Sequence, residues 1–368
     1  MPPLERPPVP RYGSAALADL SLSLLAALGV PGGTDVLGLP ELPRACLLVI
    51  DGLGWELLRA HPEHAPFLAS LPGRPLTAGF PATTVTSLGS LATGTPPGAH
   101  GLLGYQIAVN GSLLNCLRWR DEVDPRTVQP EPTVYERAAA DGVHVAYVAS
   151  GQYVASGLSR ATVRGAQYAP ADALGQLVAQ AEHHLRERSY VTVYHPDLDS
   201  TGHLYGAGSA AWLHQLRFVD TLAERIAEIL PPGTGLYVTA DHGMTNPATK
   251  VDVDAVPALR DGVALLGGEP RARHVYTAPG ATEDVLAAWR SLLGDQAWVY
   301  RRDEAVAAGW FGEVSADLLP RIGDVLAVPF GDLAIIAAKA EPLESSLVGM
   351  HGSMVPAEQL VPLLSVTA

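Results

Sequence analysis

Four runs of consecutive apolar residues recur along the first 241 residues, and each run ends on a polar side chain. The runs are ACLLVID (45–51), HVAYVAS (144–150), SYVTVYH (189–195) and GLYVTAD (235–241). Uninterrupted apolar runs of this length are typical of strands that are buried on both faces. Segments with helical spacing of apolar residues lie between them, such as ADALGQLVAQAEHHLRE and SAAWLHQLRFVDTLAERIAEIL.

The alternation of strands and helices predicts an α/β fold with a mainly parallel central sheet and helices on both faces. In sheets of this kind ligands bind beyond the carboxyl ends of the strands, where the connecting loops gather. The polar residues that end the apolar runs are therefore the first candidates for a functional site.

The pattern changes after residue 245, where strand-like and helix-like stretches such as ATEDVLAAWRSLLG and GDVLAVPFGDLAII are mixed. We therefore predict one core formed by residues 1–250 and 331–368, with residues 251–330 inserted as a cap or small α+β subdomain. At the start of the chain, the proline-rich residues 1–12 predict an extended arm. The stretch AALADLSLSLLAALG that follows predicts a helix ending on Gly29.

The acidic charge balance restricts the partners of the chain. The formal net charge is −14, whereas domains that bind nucleic acid carry a basic surface, so a nucleic-acid duplex is not an expected partner.

Two cysteines are too few for a disulfide framework. The chain has no clean signal-peptide layout and no run of about 18 apolar residues, which predicts a soluble cytoplasmic protein without a membrane partner. Whether the chain forms a homo-oligomer is left open by the sequence.

Acids and histidines cluster at the predicted strand ends. Asp51 ends the first strand, Asp199 and His203 follow the third, and Asp241 and His242 end the fourth. The last candidate, in MHGS near the C-terminus, is His351. Each residue alone has an ordinary explanation, since a strand-end Asp often caps a helix and a single His is usually structural. Together they make a dinuclear metal site the leading hypothesis.

The stretch FPATTVTSLGSLATG (80–94) offers an attacking group for phosphoryl chemistry. A proline turn is followed by four hydroxyl side chains at the beginning of a helix of small residues. These are Thr83, Thr84, Thr86 and Ser87. The backbone amides of a helix N-terminus stabilise a phosphoryl group and its developing charge. A metal-bound hydroxyl there could act as nucleophile, and the alternative is that the hydroxyls only cap and pack the helix.

These motifs resemble those of the type I phosphodiesterase and nucleotide pyrophosphatase branch of the alkaline phosphatase superfamily. The similar motifs are VIDG at Asp51, FPATT followed by TG at 93–94, PPGAHG (96–101), DSTGHLYG (199–206), ADHGM (240–244) and HG at 351–352. The resemblance covers roughly residues 45–245 and the last 30 or so residues. It implies an alkaline-phosphatase-like fold for the core.

The resemblance also implies roles for the candidate residues. One metal ion would be held by Asp199, His203 and His351. The other would be held by Asp51, Asp241, His242 and the Thr84 hydroxyl. The count from the nucleophile to the TG step falls on Thr84 rather than Thr83, which implies a phosphothreonine at Thr84. Two divalent ions are expected, zinc first, with manganese or iron as other occupants.

The chain departs from the family pattern at two substrate contacts. Val85 follows the expected nucleophile, where the family has an aromatic residue that stacks on a base. Tyr105 stands where the family has an asparagine that donates to the phosphate. Tyr105 itself, Asn110 and Asn115 are candidates to replace that donor.

The sequence therefore predicts a metal-dependent phosphohydrolase that cleaves phosphodiester or pyrophosphate bonds of a small phosphorylated substrate. A diester is favoured over a monoester because no Lys or Arg motif accompanies Thr84. Arg118, Arg120, and the RAR and RR pairs of the inserted segment stay candidates to fold over the cleft. The alternatives are a phosphomonoesterase, a phosphonate hydrolase or a phosphomutase, and lastly a non-catalytic metal-binding module. Neither cysteine has the C-x-P-x-R context of a sulfatase.

Overall fold

The structure is a computed structural model that describes residues 6–368. Its strands, numbered along the chain, are β1 (Arg44–Ile50), β2 (Gly73–Thr77), β3 (Gln106–Val109), β4 (Ser112–Asn115), β5 (His144–Ala149), β6 (Gln167–Pro170), β7 (Ser189–His195), β8 (Thr234–Thr239), β9 (Thr249–Asp252), β10 (Val263–Glu269), β11 (Ala272–Thr277), β12 (Ala297–Arg301), β13 (Val325–Pro329), β14 (Leu333–Ile336) and β15 (Leu360–Thr367).

The α-helices are α1 (Leu17–Ala27), α2 (Trp55–Ala60), α3 (Pro66–Ser70), α4 (Thr84–Thr93), α5 (Pro97–His100), α6 (Pro125–Val128), α7 (Val134–Ala140), α8 (Gly157–Thr162), α9 (Leu174–His184), α10 (Asp197–Tyr205), α11 (Ala210–Glu228), α12 (Pro257–Arg260), α13 (Thr282–Leu293), α14 (Arg302–Ala307), α15 (Pro342–Ser346) and α16 (Pro356–Gln359). The predicted first helix corresponds to α1. Part of the predicted N-terminal arm, residues 1–5, lies outside the described residues.

A seven-stranded sheet in the order β2-β15-β8-β1-β7-β5-β6 forms the centre of the molecule. All of its pairings are parallel except those of β15, which runs antiparallel to both β8 and β2. The four apolar runs form β1, β5, β7 and β8, and β7 and β8 are buried at every position. The predicted mainly parallel α/β sheet is confirmed.

The register of the central strands places the predicted site residues at one edge of the sheet. Ile50 of β1 pairs with His195 of β7, and Val49 pairs with Thr239 of β8. Asp51 and the residues that follow β7 and β8 therefore lie next to one another at the carboxyl ends of these strands. Helices α1, α7, α9 and α11 share one apolar cluster with the sheet, which fixes these strand ends.

A second, four-stranded antiparallel sheet in the order β10-β11-β13-β12 lies within residues 263–329. It has its own apolar cluster around Trp289. A further cluster joins Trp310 and Phe311 of this region to Phe80 and Val85 beside the expected nucleophile. Strands β9 and β14 pair in parallel where the chain enters and leaves the segment. The division at 251–330 stays a prediction, but this segment is packed directly against the start of α4.

No helix in the described part of the chain is long and apolar enough to cross a membrane.

Two neighbouring histidines, His144 and His184, make the stability of the sheet depend on pH. His184 of α9 is 2% exposed, and its Nδ1 lies 2.9 Å from Nε2 of His144 on β5. Burial, with neighbouring positive charge, lowers the pKa of His184 to about 4 and also lowers the pKa of His144. Between about pH 6.5 and 4 these histidines are therefore protonated more in the unfolded chain than in the folded chain. Because the unfolded state binds more protons, folding stability falls as pH falls through this window.

We expect the melting temperature of the wild-type protein to drop as pH is lowered from 7 to 4.5, and His184→Gln to weaken that dependence. Thermal unfolding across this range measures both. His214→Gln, a replacement on the exposed face of α11, serves as control and should keep the wild-type slope. A His184→Gln protein with the full wild-type slope would contradict the assignment.

Candidate active site

One group of ligand atoms lies at the ends of β1 and β8. Nε2 of His242 is 3.3 Å from Oδ1 of Asp51 and 3.6 Å from Oδ2 of Asp241. Each of the three residues places one ligand atom within 4.8 Å of the others. Asp241 and His242 are fully buried and Asp51 is 3% exposed. The sheet register thus brings together three of the predicted ligands.

A second group lies beside it on α10 and on the loop after α15. Nε2 of His203 is 3.2 Å from Oδ2 of Asp199, one helical turn earlier. Nε2 of His351 is 3.9 Å from Oδ1 of Asp199. The imidazole of His351 stacks on that of His242 with ring centroids 3.6 Å apart, and Asp199, His242 and His351 form a second set of three close ligand atoms. His242 therefore stands between the two groups, and the predicted division of ligands between two ions stays a prediction.

Backbone carbonyls fix which nitrogen of each imidazole faces the carboxylates. The Nδ1 atoms of His203, His242 and His351 lie 2.8, 2.9 and 3.0 Å from the carbonyl oxygens of Gly349, Gly243 and Ala82, respectively. A carbonyl can only accept, so each Nδ1 must carry the proton and donate it. In the neutral imidazole each Nε2 then offers a lone pair on the side of the acids, the arrangement found around metal-binding histidines.

Each of the three aspartates has one buried carboxylate oxygen without a hydrogen-bond partner. Oδ1 of Asp241 accepts from the backbone N–H of Gly52 and His242 at 3.1 and 3.0 Å, and the Tyr194 hydroxyl donates to Asp51. Within the described residues, Oδ1 of Asp51, Oδ1 of Asp199 and Oδ2 of Asp241 are buried without a hydrogen-bond partner. Burying unpaired carboxylate oxygens side by side is strongly unfavourable. A divalent cation would remove that cost, so this donor set fits a metal centre.

The pKa shifts in the cluster also show that its buried acids and imidazoles affect one another's ionisation. Burial, with the neighbouring Asp241 and Asp199 carboxylates, raises the pKa of Asp51 well above its usual range. Burial disfavours the charged form of His203, yet the adjacent Asp199 carboxylate raises the pKa of that imidazole to about 9. Burial and the nearby His242 lower the pKa of His351. The neighbouring carboxylates oppose the ionisation of Asp51, and a bound cation would favour it.

The hydroxyls of Thr83 and Thr84 point to different partners. Thr83 occupies the N-cap position of α4, and Thr84 is the first helical residue. Oγ1 of Thr84 lies 3.2 Å from Nε2 of His242, and Thr84 is one of the residues that line a cavity. Oγ1 of Thr83 is buried and donates to Oε2 of Glu269 at 3.0 Å. This geometry favours Thr84 over Thr83 as the attacking group, in agreement with the motif spacing.

A cavity of about 210 Å³ opens onto Asp51, Thr84 and Asp199. Its remaining wall is mainly aromatic and aliphatic: Tyr147, Tyr153, Tyr168, Tyr194, Leu88, Leu117 and Leu158. Among the residues that the structure describes, no Lys or Arg lines this cavity. The cavity therefore suits an uncharged substituent next to the reacting group rather than additional negative charge.

A family model for type I phosphodiesterases and nucleotide pyrophosphatases matches residues 45–354. The chain belongs to this family. Its members are hydrolases of phosphoric ester bonds, which confirms the predicted enzyme class. No protein of curated function matches the sequence.

Solved structures share the fold of this phosphodiesterase family member at low sequence identity. Murine ectonucleotide pyrophosphatase/phosphodiesterase 5 superposes with a TM-score of 0.70 at 18% identity, covering 87% of each chain. An inactive variant of that murine protein in complex with AMP gives 0.70 at 17% identity, again over 87% of each chain. Phosphonoacetate hydrolase from Sinorhizobium meliloti 1021 gives 0.67 at 18% identity, over 88% of this chain and 89% of the other. The predicted alkaline-phosphatase-like fold is confirmed.

The candidate substrate contacts of this family member lie apart from the cavity wall. The Tyr105 hydroxyl donates to Oε1 of Glu344 at 2.8 Å. Oδ1 of Asn115 accepts from the backbone N–H of Leu117 and Arg118, both at 3.0 Å, and so shapes the turn that carries Leu117 into the cavity. As direct substrate contacts, Tyr105 and Asn115 stay predictions.

The arginines proposed to fold over the cleft are engaged elsewhere. Arg271 and Arg273 are at most 1% exposed, and they pair with Glu358 at 2.9 Å and Glu341 at 2.8 Å. The remaining candidates are also placed away from the cavity wall. Arg120 donates to Ser112, Arg301 pairs with Glu283, Arg302 pairs with Asp324, and Arg118 is exposed. The open candidates RAR and RR therefore do not line the cavity in this structure.

The sequence analysis missed Tyr194 and Glu269. Tyr194 is a buried residue of β7, and its hydroxyl donates to Asp51. Glu269 ends β10 of the second sheet, and Oε2 lies 3.6 Å from Nδ1 of His351. Burial raises the pKa of Glu269 to about 8, against the lowering effect of the Thr83 hydroxyl. Neither residue belongs to a motif, so only the three-dimensional packing identifies it.

Proposed function

We propose that this family member is a metal-dependent phosphohydrolase that cleaves phosphodiester or pyrophosphate bonds through a phosphothreonine at Thr84. The observation that carries the proposal is the convergence of three unpaired buried carboxylate oxygens and three imidazole Nε2 atoms beside the start of α4. Such a donor set is suited to two divalent ions, and mixed imidazole and carboxylate ligation favours zinc, with manganese or iron also acceptable.

Six residues would hold the two ions, together with the Thr84 hydroxyl: Asp51, Asp199, His203, Asp241, His242 and His351. When bound, the ions would supply Lewis-acid stabilisation of the phosphoryl oxygens and favour ionisation of a neighbouring hydroxyl. The carbonyl contacts of Gly349, Gly243 and Ala82 keep the three imidazoles in the required tautomer.

Thr84 attacks the phosphorus atom in line with the leaving group. The Oγ1–P bond forms while the bond from phosphorus to the leaving oxygen breaks, the Thr84 proton passes to solvent, and the leaving oxygen takes up a proton. Water then cleaves the Oγ1–P bond and restores the hydroxyl. The first backbone N–H groups of α4 have no partner within the helix and stabilise the negative charge that develops on the phosphoryl oxygens.

The cavity favours a diester over a monoester. A monoester dianion brings a second negative charge, and among the described residues no Lys or Arg lines the cavity to pair with it beside the expected ions. The second substituent of a diester can lie against the tyrosines and leucines instead. Val85 is buried in an apolar cluster, so base stacking directly after the nucleophile is not part of this proposal.

The test is to measure metal content by mass spectrometry and to compare hydrolysis of bis-nitrophenyl phosphate with that of nitrophenyl phosphate, before and after chelation. We expect about two divalent ions per chain and a kcat/KM for the diester at least about tenfold above that for the monoester, which corresponds to ~1.4 kcal/mol. Chelation should remove activity and added zinc should restore it. Two bound metals with a preference for the monoester would contradict the diester assignment, and absence of bound metal would contradict the mechanism.

A further inference from the structure

Glu269 reaches the candidate site from the second sheet, at the end of β10. The side chain is 6% exposed. Its Oε2 accepts from the Thr83 hydroxyl at 3.0 Å and lies 3.6 Å from Nδ1 of His351. Its other oxygen, Oε1, is buried without a hydrogen-bond partner among the described residues. This carboxylate thus touches both the residue before the expected nucleophile and an expected metal ligand.

The contact with Thr83 replaces an ordinary helix cap. A threonine at the N-cap position normally accepts a hydrogen bond from the second or third helical N–H, but the Thr83 side chain makes no such bond. Its hydroxyl is turned outward from α4 and donates to Glu269 instead. Because Thr84 follows directly in the chain, Glu269 anchors the backbone that presents the Thr84 hydroxyl.

The contact with His351 belongs to the same small unit. The Ala82 carbonyl accepts from Nδ1 of His351 at 3.0 Å, and the Ala82 N–H donates to the Gly352 carbonyl at 3.0 Å. Glycine at 352 is required for this approach, since a Cβ there would lie 3.0 Å from the Glu269 carboxyl carbon and the backbone φ is +128°. The loop that carries His351 and the start of α4 therefore contact each other and the same carboxyl group of Glu269.

We propose that Glu269 is a positioning residue that holds the His351 imidazole and the start of α4 in the geometry needed for reaction. The inserted segment then contributes to the active site rather than only covering it. The physical basis is that the groups around the outer N–H of a ligating imidazole orient the ring and tune its basicity. For His351 these groups are the Ala82 carbonyl, which accepts the N–H, and the Glu269 carboxyl group 3.6 Å away. This inference rests on the proposed metal-dependent function.

The experiment compares Glu269→Gln with the wild-type protein. The amide keeps the side-chain volume and an acceptor for Thr83 but replaces the carboxyl group beside His351. We expect kcat for bis-nitrophenyl phosphate to fall by about 10- to 100-fold, and zinc affinity, measured by competition with a chromogenic chelator, to fall by about tenfold or more. KM should change less than kcat. Glu304→Gln, a surface carboxylate of the same segment that accepts from the Arg301 N–H, should leave all three values unchanged.

A second pair of variants tests the Thr83 contact without altering Glu269. Thr83→Val removes the hydroxyl at nearly constant volume and should lower kcat. Thr83→Ser keeps the hydroxyl and should recover most of that loss. If Glu269→Gln does not fold, a difference between these two variants still supports the proposal, and equal kcat values overturn it.

The outcomes separate the two proposals. If wild-type protein binds zinc and turns over the diester while Glu269→Gln matches Glu304→Gln in zinc affinity and kcat, the positioning role is wrong and the proposed function stands. If the wild-type protein binds no divalent metal, the proposed function fails and the role of Glu269 fails with it.

Discussion

Thr84→Ala should reduce diester turnover on the order of 10⁴-fold while leaving zinc bound. The hydroxyl is the only group at this position that can form the covalent phosphoryl intermediate of the proposed reaction, and alanine offers no replacement. The six carboxylate and imidazole ligands are unchanged, so metal content by mass spectrometry should stay close to the wild-type value. The loss should therefore be in kcat and not in metal occupancy.

Two matched variants interpret that result. Thr84→Ser retains a hydroxyl at the start of α4 and should recover a large part of kcat. Thr93→Ala makes the same chemical change at the other end of α4, where the hydroxyl donates to the Gly89 carbonyl at 2.8 Å, and should leave kcat near wild type. Normal turnover by metal-loaded Thr84→Ala would show that Thr84 is not the nucleophile.

The central fold could be predicted because it depends on local pattern. Each buried parallel strand is a continuous apolar run, and this pattern located β1, β5, β7 and β8 without knowledge of their partners. Strand β15 was not predicted. Its sequence LVPLLSVT contains Pro362, which disfavours a strand, yet Pro362 pairs with Pro75 of the edge strand β2. Only the tertiary pairing reveals this strand.

The candidate ligands could be predicted because strand ends gather at one edge of a parallel sheet. Asp51, Asp241 and His242 leave adjacent strands, so their proximity follows from the topology. The Glu269 contact does not follow from any such rule, because it depends on how a second sheet packs against α4. The same limit applies to the candidates Arg271 and Arg273, since sequence shows their charge but not their buried partners Glu358 and Glu341.

Asp241→Asn should separate metal binding from folding. The asparagine oxygen can still accept from the N–H groups of Gly52 and His242, which bind Oδ1 of Asp241 in the wild-type protein. The change replaces the unpaired Oδ2 with an N–H₂ group that repels a cation. We expect loss of zinc from this group of ligands and a fall in kcat on the order of 10³-fold.

The stability of the same variant should change in opposite directions with and without metal. Without metal, removal of one of three neighbouring buried carboxylates should make Asp241→Asn more stable than the wild-type protein, because the acids repel one another. With zinc at about 100 times its dissociation constant, the free energy of unfolding of the wild-type protein rises by ~2.7 kcal/mol for each ion bound, and that of the variant rises by less.

Asp220→Asn is the matched control. Its buried carboxylate accepts from the N–H groups of Phe67 and Leu68, so its loss should lower the melting temperature equally with and without zinc. If Asp241→Asn behaved like Asp220→Asn, the buried acids would be structural, and the dinuclear centre would have to be abandoned.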